Sequence, residues 1–282
     1  MTYFSAKDYF EEQYVLRKTL PTFASHVAEW EALSQDRHFA EFHTQVVSYG
    51  SHSRQTFELF KVKQGEKAKG LAIFIHGGFW RAMDREQSRF VAKPFLASGY
   101  DCVIAEYRLM PAFALADLVE DTAMMLHKLK ALQEHHALSS NILLSGHSAG
   151  AHLAIFGLNK AKNEGFSAAN LSLLLLSGVF DIFPVSQTSI GDELDMPQED
   201  IARWSVYEGD ADNSIDPLFL VGADETDDFK RQSIIGAQQL GAGHQENIRF
   251  VDGANHLTLM TKLATDPVLF LQTLSRLETI AG

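Results

Sequence analysis

The chain has 282 residues, 46% hydrophobic and 21% charged, which excludes a disordered, collagen-like or coiled-coil protein. A chain of this length buries roughly 75% of its unfolded surface, so it needs no metal or disulfide to fold. Lys and Arg number 24 against 36 Asp and Glu, a formal charge of −12, which argues against nucleic acid or an anionic membrane as partner.

The opening MTYFSAKDYFEEQY has no basic region followed by an apolar core, so no secretory leader is expected and a cytoplasmic location is. Residues 7–45 read as helical, with Pro21 as an interruption, and give an N-terminal helical segment within 1–45. A strand follows near 56–62 and a charged turn near 63–70. From there short apolar runs alternate with helical patterns. Strands are predicted at 71–75, 101–106, 141–144, 171–176, 218–221 and 248–251, and helices near 85–97, 114–137, 148–161, 227–241 and 257–278. Strands of about five residues separated by longer helices imply βαβ crossovers. The expected fold is α/β, a mostly parallel central sheet with helices on both faces. Ligands in such sheets bind beyond the carboxyl ends of the strands.

The lone cysteine, Cys102, lies in the strand at 101–106 and reads as a small buried hydrophobe. Glu120 and Asp121 read as the solvated face of the helix near 114–137. The segment 180–216 breaks the rhythm with Pro184, Pro197, many acids and weak periodicity. It is long for a plain connection, so it is expected to be a cap-like insertion in a single domain spanning 1–282. Phe183, Trp204 and Tyr207 in it are candidates to floor an aromatic pocket.

The chemistry concentrates at strand ends. After the strand at 141–144 comes Gly146-His147-Ser148-Ala149-Gly150, then a helical pattern: G-x-S-x-G between strand and helix. A sharp turn there needs small flanking residues, and it projects the serine hydroxyl above the sheet with a helix N-terminus behind it. Ser148 is the candidate nucleophile; the structural alternative is a helix N-cap serine. After the strand at 71–75 stands His76-Gly77-Gly78-Phe79-Trp80. Glycines at a strand end let backbone N–H groups approach an oxyanion. Gly77, Gly78, Phe79 and Ala149 are the candidate donors. Trp80, His76 and His147 are candidates for the substrate pocket, with a plain core residue the alternative for Trp80 and packing or local hydrogen bonding the alternative for His147. His147 and His152 have no third metal ligand at a sensible spacing, so no metal and no cofactor are expected.

A serine hydroxyl needs a base. His256 follows the last predicted strand, at the carboxyl end of the sheet; His244 precedes that strand and reads as an exposed loop residue. The loop after 218–221 offers four acids, Asp224, Glu225, Asp227 and Asp228. Neighbouring side chains in an extended turn point apart, so Asp224 and Glu225 cannot both face His256. Asp227 and Asp228 read as caps of the helix near 227–241.

These motifs resemble the α/β-hydrolase superfamily, and within it the kynurenine formamidase (arylformamidase) group and related bacterial esterases. The residues that carry the resemblance are His76–Trp80 as H-G-G-x-W, Gly146–Leu153 as G-H-S-A-G-A-H-L and Tyr107-Arg108-Leu109-Met110-Pro111 as Y-R-L-x-P. Segments near 12–17, 49–50, 177–184 and 224–233 are also similar, so the likeness covers nearly the whole chain. It implies an α/β-hydrolase fold and a triad in the order Ser148, Glu225, His256. Glu225 is preferred over Asp224 as third after the glycine. Two departures stand out: Phe79 where a tyrosine is common, and Glu225 where the acid is often Asp. The implied activity is cleavage of a small acyl group from an aryl formamide such as N-formylkynurenine, a step of tryptophan catabolism. A short-chain carboxylesterase is the alternative in the same class, and a catalytically inactive binding module the alternative in another. The expected partner is a small-molecule ester or formamide; the oligomeric state stays open, a homodimer included.

Overall fold

A computed structural model describes residues 5–36, 39, 42–62, 67–136, 138–168, 170–206, 215–240 and 247–281. Tyr207, the rest of 207–214, and His244 lie outside the described residues.

Eight strands form one sheet: β1 (His43–Ser48), β2 (Thr56–Lys61), β3 (Leu71–Ile75), β4 (Asp101–Ala105), β5 (Asn141–His147), β6 (Asn170–Leu176), β7 (Pro217–Gly222) and β8 (Ile248–Val251). Their order is β1-β2-β4-β3-β5-β6-β7-β8. β2 runs antiparallel to both β1 and β4, and every other pairing is parallel. The order reverses between β3 and β5, so the chain leaves these two neighbours in opposite directions and opens a crevice at their carboxyl ends.

The central strands are buried on both faces, which is why they read as continuous apolar runs rather than alternating ones. One face packs Leu71, Ile73, Val103, Leu144, Leu175 and Phe219 under α5 (Leu115–His136), α6 (Ala149–Asn163) and α10 (Asp227–Gln239). The other packs Ala72, Phe74, Cys102, Ile104, Leu143 and Leu220 under α4 (Ala92–Ala97), α11 (Thr258–Thr265) and α12 (Pro267–Ala281). Burial pushes the Cys102 thiol up, so it stays a protonated hydrophobe.

Four expectations need correcting. β1 takes residues 43–45 out of the predicted helical segment. It is an exposed edge strand that pairs with β2 alone, so it carries no apolar pattern to read. The helix predicted over 257–278 is two helices. Pro267 cannot continue α11, and the Asp266 carboxylate caps α12 by accepting from Val268 N (2.9 Å) and Leu269 N (3.1 Å). Asp121 is fully buried rather than solvated: Arg108 and Gln55 each approach its carboxylate at 2.7 Å and satisfy it. Asp227 and Asp228 do not cap α10. Thr226 holds the N-cap position, and the Asp228 carboxylate binds Arg231 Nε at 2.7 Å.

The N-terminal segment forms α1 (Ala6–Tyr14), α2 (Leu16–Thr19) and α3 (Phe23–Ser34). A capping box opens α1: Ser5 Oγ accepts from Asp8 N and the Asp8 carboxylate accepts from Ser5 N. The segment is fastened across the carboxyl end of the sheet. Gln13 O accepts from Thr226 Oγ1 at 2.9 Å, and Tyr14 packs edge-on against Phe229. Lys7 pairs with Asp192 at 3.0 Å. Glu11 accepts from Ser189 N and Oγ, each at 2.7 Å. Partial burial acts to raise the Glu11 pKa, but bonds from Lys18 and Ser189 hold it at about 2. Residues 180–206 form three short helices, α7 (Phe183–Ser186), α8 (Ser189–Leu194) and α9 (Gln198–Arg203). Among the described residues no helix is long and apolar enough to cross a membrane.

His152 on α6 is fully buried and its Nε2 donates to Trp204 O at 2.7 Å. Burial lowers its pKa from 6.5 to about 4. The unfolded chain therefore binds a proton that the folded chain refuses. The neutral ring's stability is complete above pH 6.5 and is lost as pH falls toward 4, at about 1.4 kcal/mol per pH unit. Denaturant melts of wild type and His152→Gln from pH 7 to 4 should show a shallower acid decline in the variant, by roughly 3 kcal/mol over the range. Parallel declines would contradict this.

Candidate active site

β5 runs three residues further than its apolar core suggests and ends at His147. Ser148 then adopts φ 55°, ψ −121°, a left-handed conformation costly for a residue with a Cβ. Its backbone N–H donates to Leu176 O at 2.8 Å, which holds the turn. The flanking glycines are forced by contact. A Cβ on Gly146 would sit 2.2 Å from Gly150 O, and one on Gly150 would sit 2.1 Å from Ile75 O. α6 begins at Ala149, whose N–H, like the others of a first helical turn, has no acceptor inside the helix.

The loop after β3 packs against this turn. A Cβ on Gly77 would lie 3.1 Å from Ser148 Cβ. Gly78, Phe79 and Trp80 take positive φ in succession (101°, 48° and 60°). The carbonyls of His76 and Gly77 are tied back by Tyr107 OH at 3.0 and 3.1 Å. The N–H groups of Gly78 and Phe79 donate to no acceptor among the described residues.

Two pocket candidates lie elsewhere. The left-handed turn sends Trp80 back into the core, fully buried and edge-on to His152. His76 is also fully buried, stacked on Tyr107 with centroids 4.3 Å apart, and its Nε2 lies 3.3 Å from Glu106 Oε1. Both support the loop from behind. His147 does face the cavity. Its Nε2 donates to His256 O at 3.0 Å, which pins the loop carrying His256. Burial and the neighbouring His256 ring put the His147 pKa well below the usual imidazole range, so this ring stays neutral.

His256 follows β8, and its Nδ1 meets Glu225 Oε2 at 2.8 Å. Its ring stacks on Phe229 at 4.0 Å between centroids. The carboxylate that receives Nδ1 is held at its other oxygen by Gly222 N (2.7 Å) and by the Ser177 hydroxyl. Asp224 is exposed and contacts the site only through its backbone, whose N–H donates to Ala254 O at 2.9 Å. With Nδ1 committed to Glu225, Nε2 is the ring nitrogen left for proton transfer.

Ser148 and His256 share the wall of one cavity of about 350 Å³. Its wall also includes Phe79 and Met83 from the segment after β3, and Tyr14, Phe23, Val27 and Trp30 of the N-terminal segment. From α7–α9 it takes Ile190. Phe183 is instead 48% exposed, and Trp204 packs against Phe156 away from the cavity. Sequence reasoning missed the N-terminal aromatics and Ser177. The aromatics stand in the amphipathic pattern of α1 and α3, whereas Ser177 has no signal beyond its place after β6. Among the described residues no three His, Cys, Asp or Glu side chains are grouped to hold a metal ion.

The chain is similar to known proteins in sequence and in fold. Residues 57–192 match the BD-FAE family model. The chain is 24% identical over 238 residues to a kynurenine formamidase of Danio rerio, covering 82% of this chain and 80% of that one. A solved structure from Silicibacter superposes with a TM-score of 0.78 at 23% identity, covering 92% of this chain and 95% of that one. Esterase B of Lactobacillus superposes at 0.69 with 20% identity and 96% of each chain covered. The fold is that of the α/β-hydrolases.

The geometry around His256 gives a direct test. Glu225→Gln should lower kcat on a short aryl ester by on the order of 10³-fold or more, while Asp224→Ala should keep kcat within about twofold. An equal loss in the two variants would refute the assignment.

Proposed function

We propose that this α/β-hydrolase, which falls with the kynurenine formamidase-like enzymes and their esterase relatives, is a serine hydrolase that removes a small acyl group from an aryl formamide such as N-formylkynurenine. The observation that carries the reading is His256, held by Glu225 at 2.8 Å on the wall of the cavity that Ser148 lines.

The chemistry follows from the placement. Nε2 of His256 takes the proton of Ser148 as the hydroxyl oxygen attacks the acyl carbon. Charge moves onto the acyl oxygen, and the N–H groups of Gly78, Phe79 and Ala149 are the donors for it, with Gly77 setting their approach to Ser148. The imidazolium then gives its proton to the leaving amine or alcohol, and the C–N or C–O bond breaks. Water, deprotonated by the same imidazole, releases the acid from Ser148. Glu225 holds the ring in the tautomer that leaves Nε2 unprotonated at the outset, and its two further hydrogen bonds fix the carboxylate itself. His147, uncharged, adds no positive field that would resist formation of the imidazolium.

The cavity wall favours an aryl leaving group. Tyr14, Phe23 and Trp30 line it with aromatic side chains that an aryl group can pack against.

Ser148→Ala should reduce turnover by about 10⁴-fold or more with the fold intact by circular dichroism. Survival of activity would reject Ser148 as nucleophile. Side-by-side kinetics should give a higher kcat/KM for N-formylkynurenine than for a short-chain aryl ester. The reverse order would replace the formamidase reading with the carboxylesterase one.

A further inference from the structure

The cavity wall is mainly apolar, and apart from the histidines its charged side chains are two arginines, Arg17 and Arg81. They come from distant parts of the chain, Arg17 from α2 and Arg81 from the turn after the glycine loop. Among the described residues no acidic side chain lines the cavity with them. Both guanidinium groups converge on one carboxylate, that of Glu193 on α8. Arg17 Nη2 bonds Oε1 at 2.9 Å and Arg81 Nη1 bonds Oε2. Glu193 thus sits in a two-arginine fork at the rim, 42% exposed at its side chain. Each guanidinium carries five N–H donors and gives Glu193 one nitrogen, so both keep donors for a second acceptor.

The Arg17–Glu193 pair is exposed and contributes little to stability, because water competes for both charges, whereas Arg81 is only 22% exposed and is the more shielded of the two cations. A substrate carboxylate that takes the place of Glu193 restores both contacts, so the exchange replaces one ion pair with another. The surroundings point to selection as well: a chain of net charge −12 repels anions over most of its surface, yet presents two cations at the mouth of its one reactive-serine cavity.

We propose that Arg17 and Arg81 form a carboxylate subsite at the mouth of the Ser148 cavity, and that Glu193 occupies it when no substrate is bound. The preferred substrate class is then an ester or amide with its acyl carbon at Ser148 and a carboxylate on the leaving group. The catalytic part of this inference rests on the serine hydrolase reading; the binding part does not.

The experiment compares 4-acetoxybenzoate with its neutral partner 4-acetoxybenzamide. Wild type should show the higher kcat/KM on the carboxylate, with the difference carried by KM and shrinking as salt is added. Arg81→Gln should reduce the ratio of the two kcat/KM values by about tenfold, and Arg17→Gln should reduce it in the same direction. Glu193→Gln should increase the ratio by removing the competing carboxylate. Equal effects of the arginine substitutions on both substrates would show a structural clip only and would overturn the subsite. Calorimetric binding of 4-acetoxybenzoate to Ser148→Ala needs no turnover and separates the two claims. Binding that weakens about tenfold when Arg81→Gln is added supports the subsite even if the wild type hydrolyses neither ester. Binding of equal strength, or none to either protein, overturns it.

Discussion

The distance at which two pieces of backbone pass each other governs this molecule. Gly150, in the first turn of α6, lies so close to Ile75 O at the end of β3 that no side chain fits between them. That approach fixes where α6 begins relative to the sheet. It sets the turn of Ser148, and it brings the glycine loop after β3 against the nucleophile. Gly146 and Gly77 extend the same constraint to either side. The strain held in φ of Ser148, Phe79 and Trp80 is tolerated because parallel pairing of β3, β5 and β6 holds the backbone on both flanks.

The interior keeps its charges few and matched. Glu225 takes three hydrogen bonds, Asp121 is bracketed by Arg108 and Gln55, and Glu106 by Arg54, Arg85 and His76. The groups without such partners are kept neutral by burial: His147, His152 and the Cys102 thiol. His256 accordingly stands among uncharged rings, Phe229 on one side and His147 on the other, with a single carboxylate behind it.

The parts of the fold legible in sequence were those governed by local rules. Buried parallel strands announce themselves as apolar runs, and G-x-S-x-G between strand and helix announces a steric requirement. β1 was silent because an exposed edge strand has no buried face. The break at Asp266-Pro267 was written in the proline but was overridden by the apolar period on either side of it. The placement of Trp80 and His76 behind the loop, rather than at the pocket, depends on three successive left-handed residues, a geometry that composition does not reveal. The roof of the cavity was the least legible. Tyr14, Phe23 and Trp30 lie more than 110 residues from Ser148, and their helices carry the same pattern as any helix packed on a sheet.

That roof separates two jobs that many sites combine. The reacting groups sit on loops anchored in the sheet, where a small shift would be felt throughout the core. The wall facing them belongs to a segment fastened by exposed ion pairs and hydrogen bonds to α8 and α10, and anchored in the core by Tyr14, Val15 and Trp30. Substitutions at its half-buried wall residues Phe23 and Val27 can therefore reshape what the cavity admits while the machinery beneath is left alone. Among proteins built on this plan, divergence in substrate choice should leave its record at the N-terminus, far from the serine in sequence and directly above it in space.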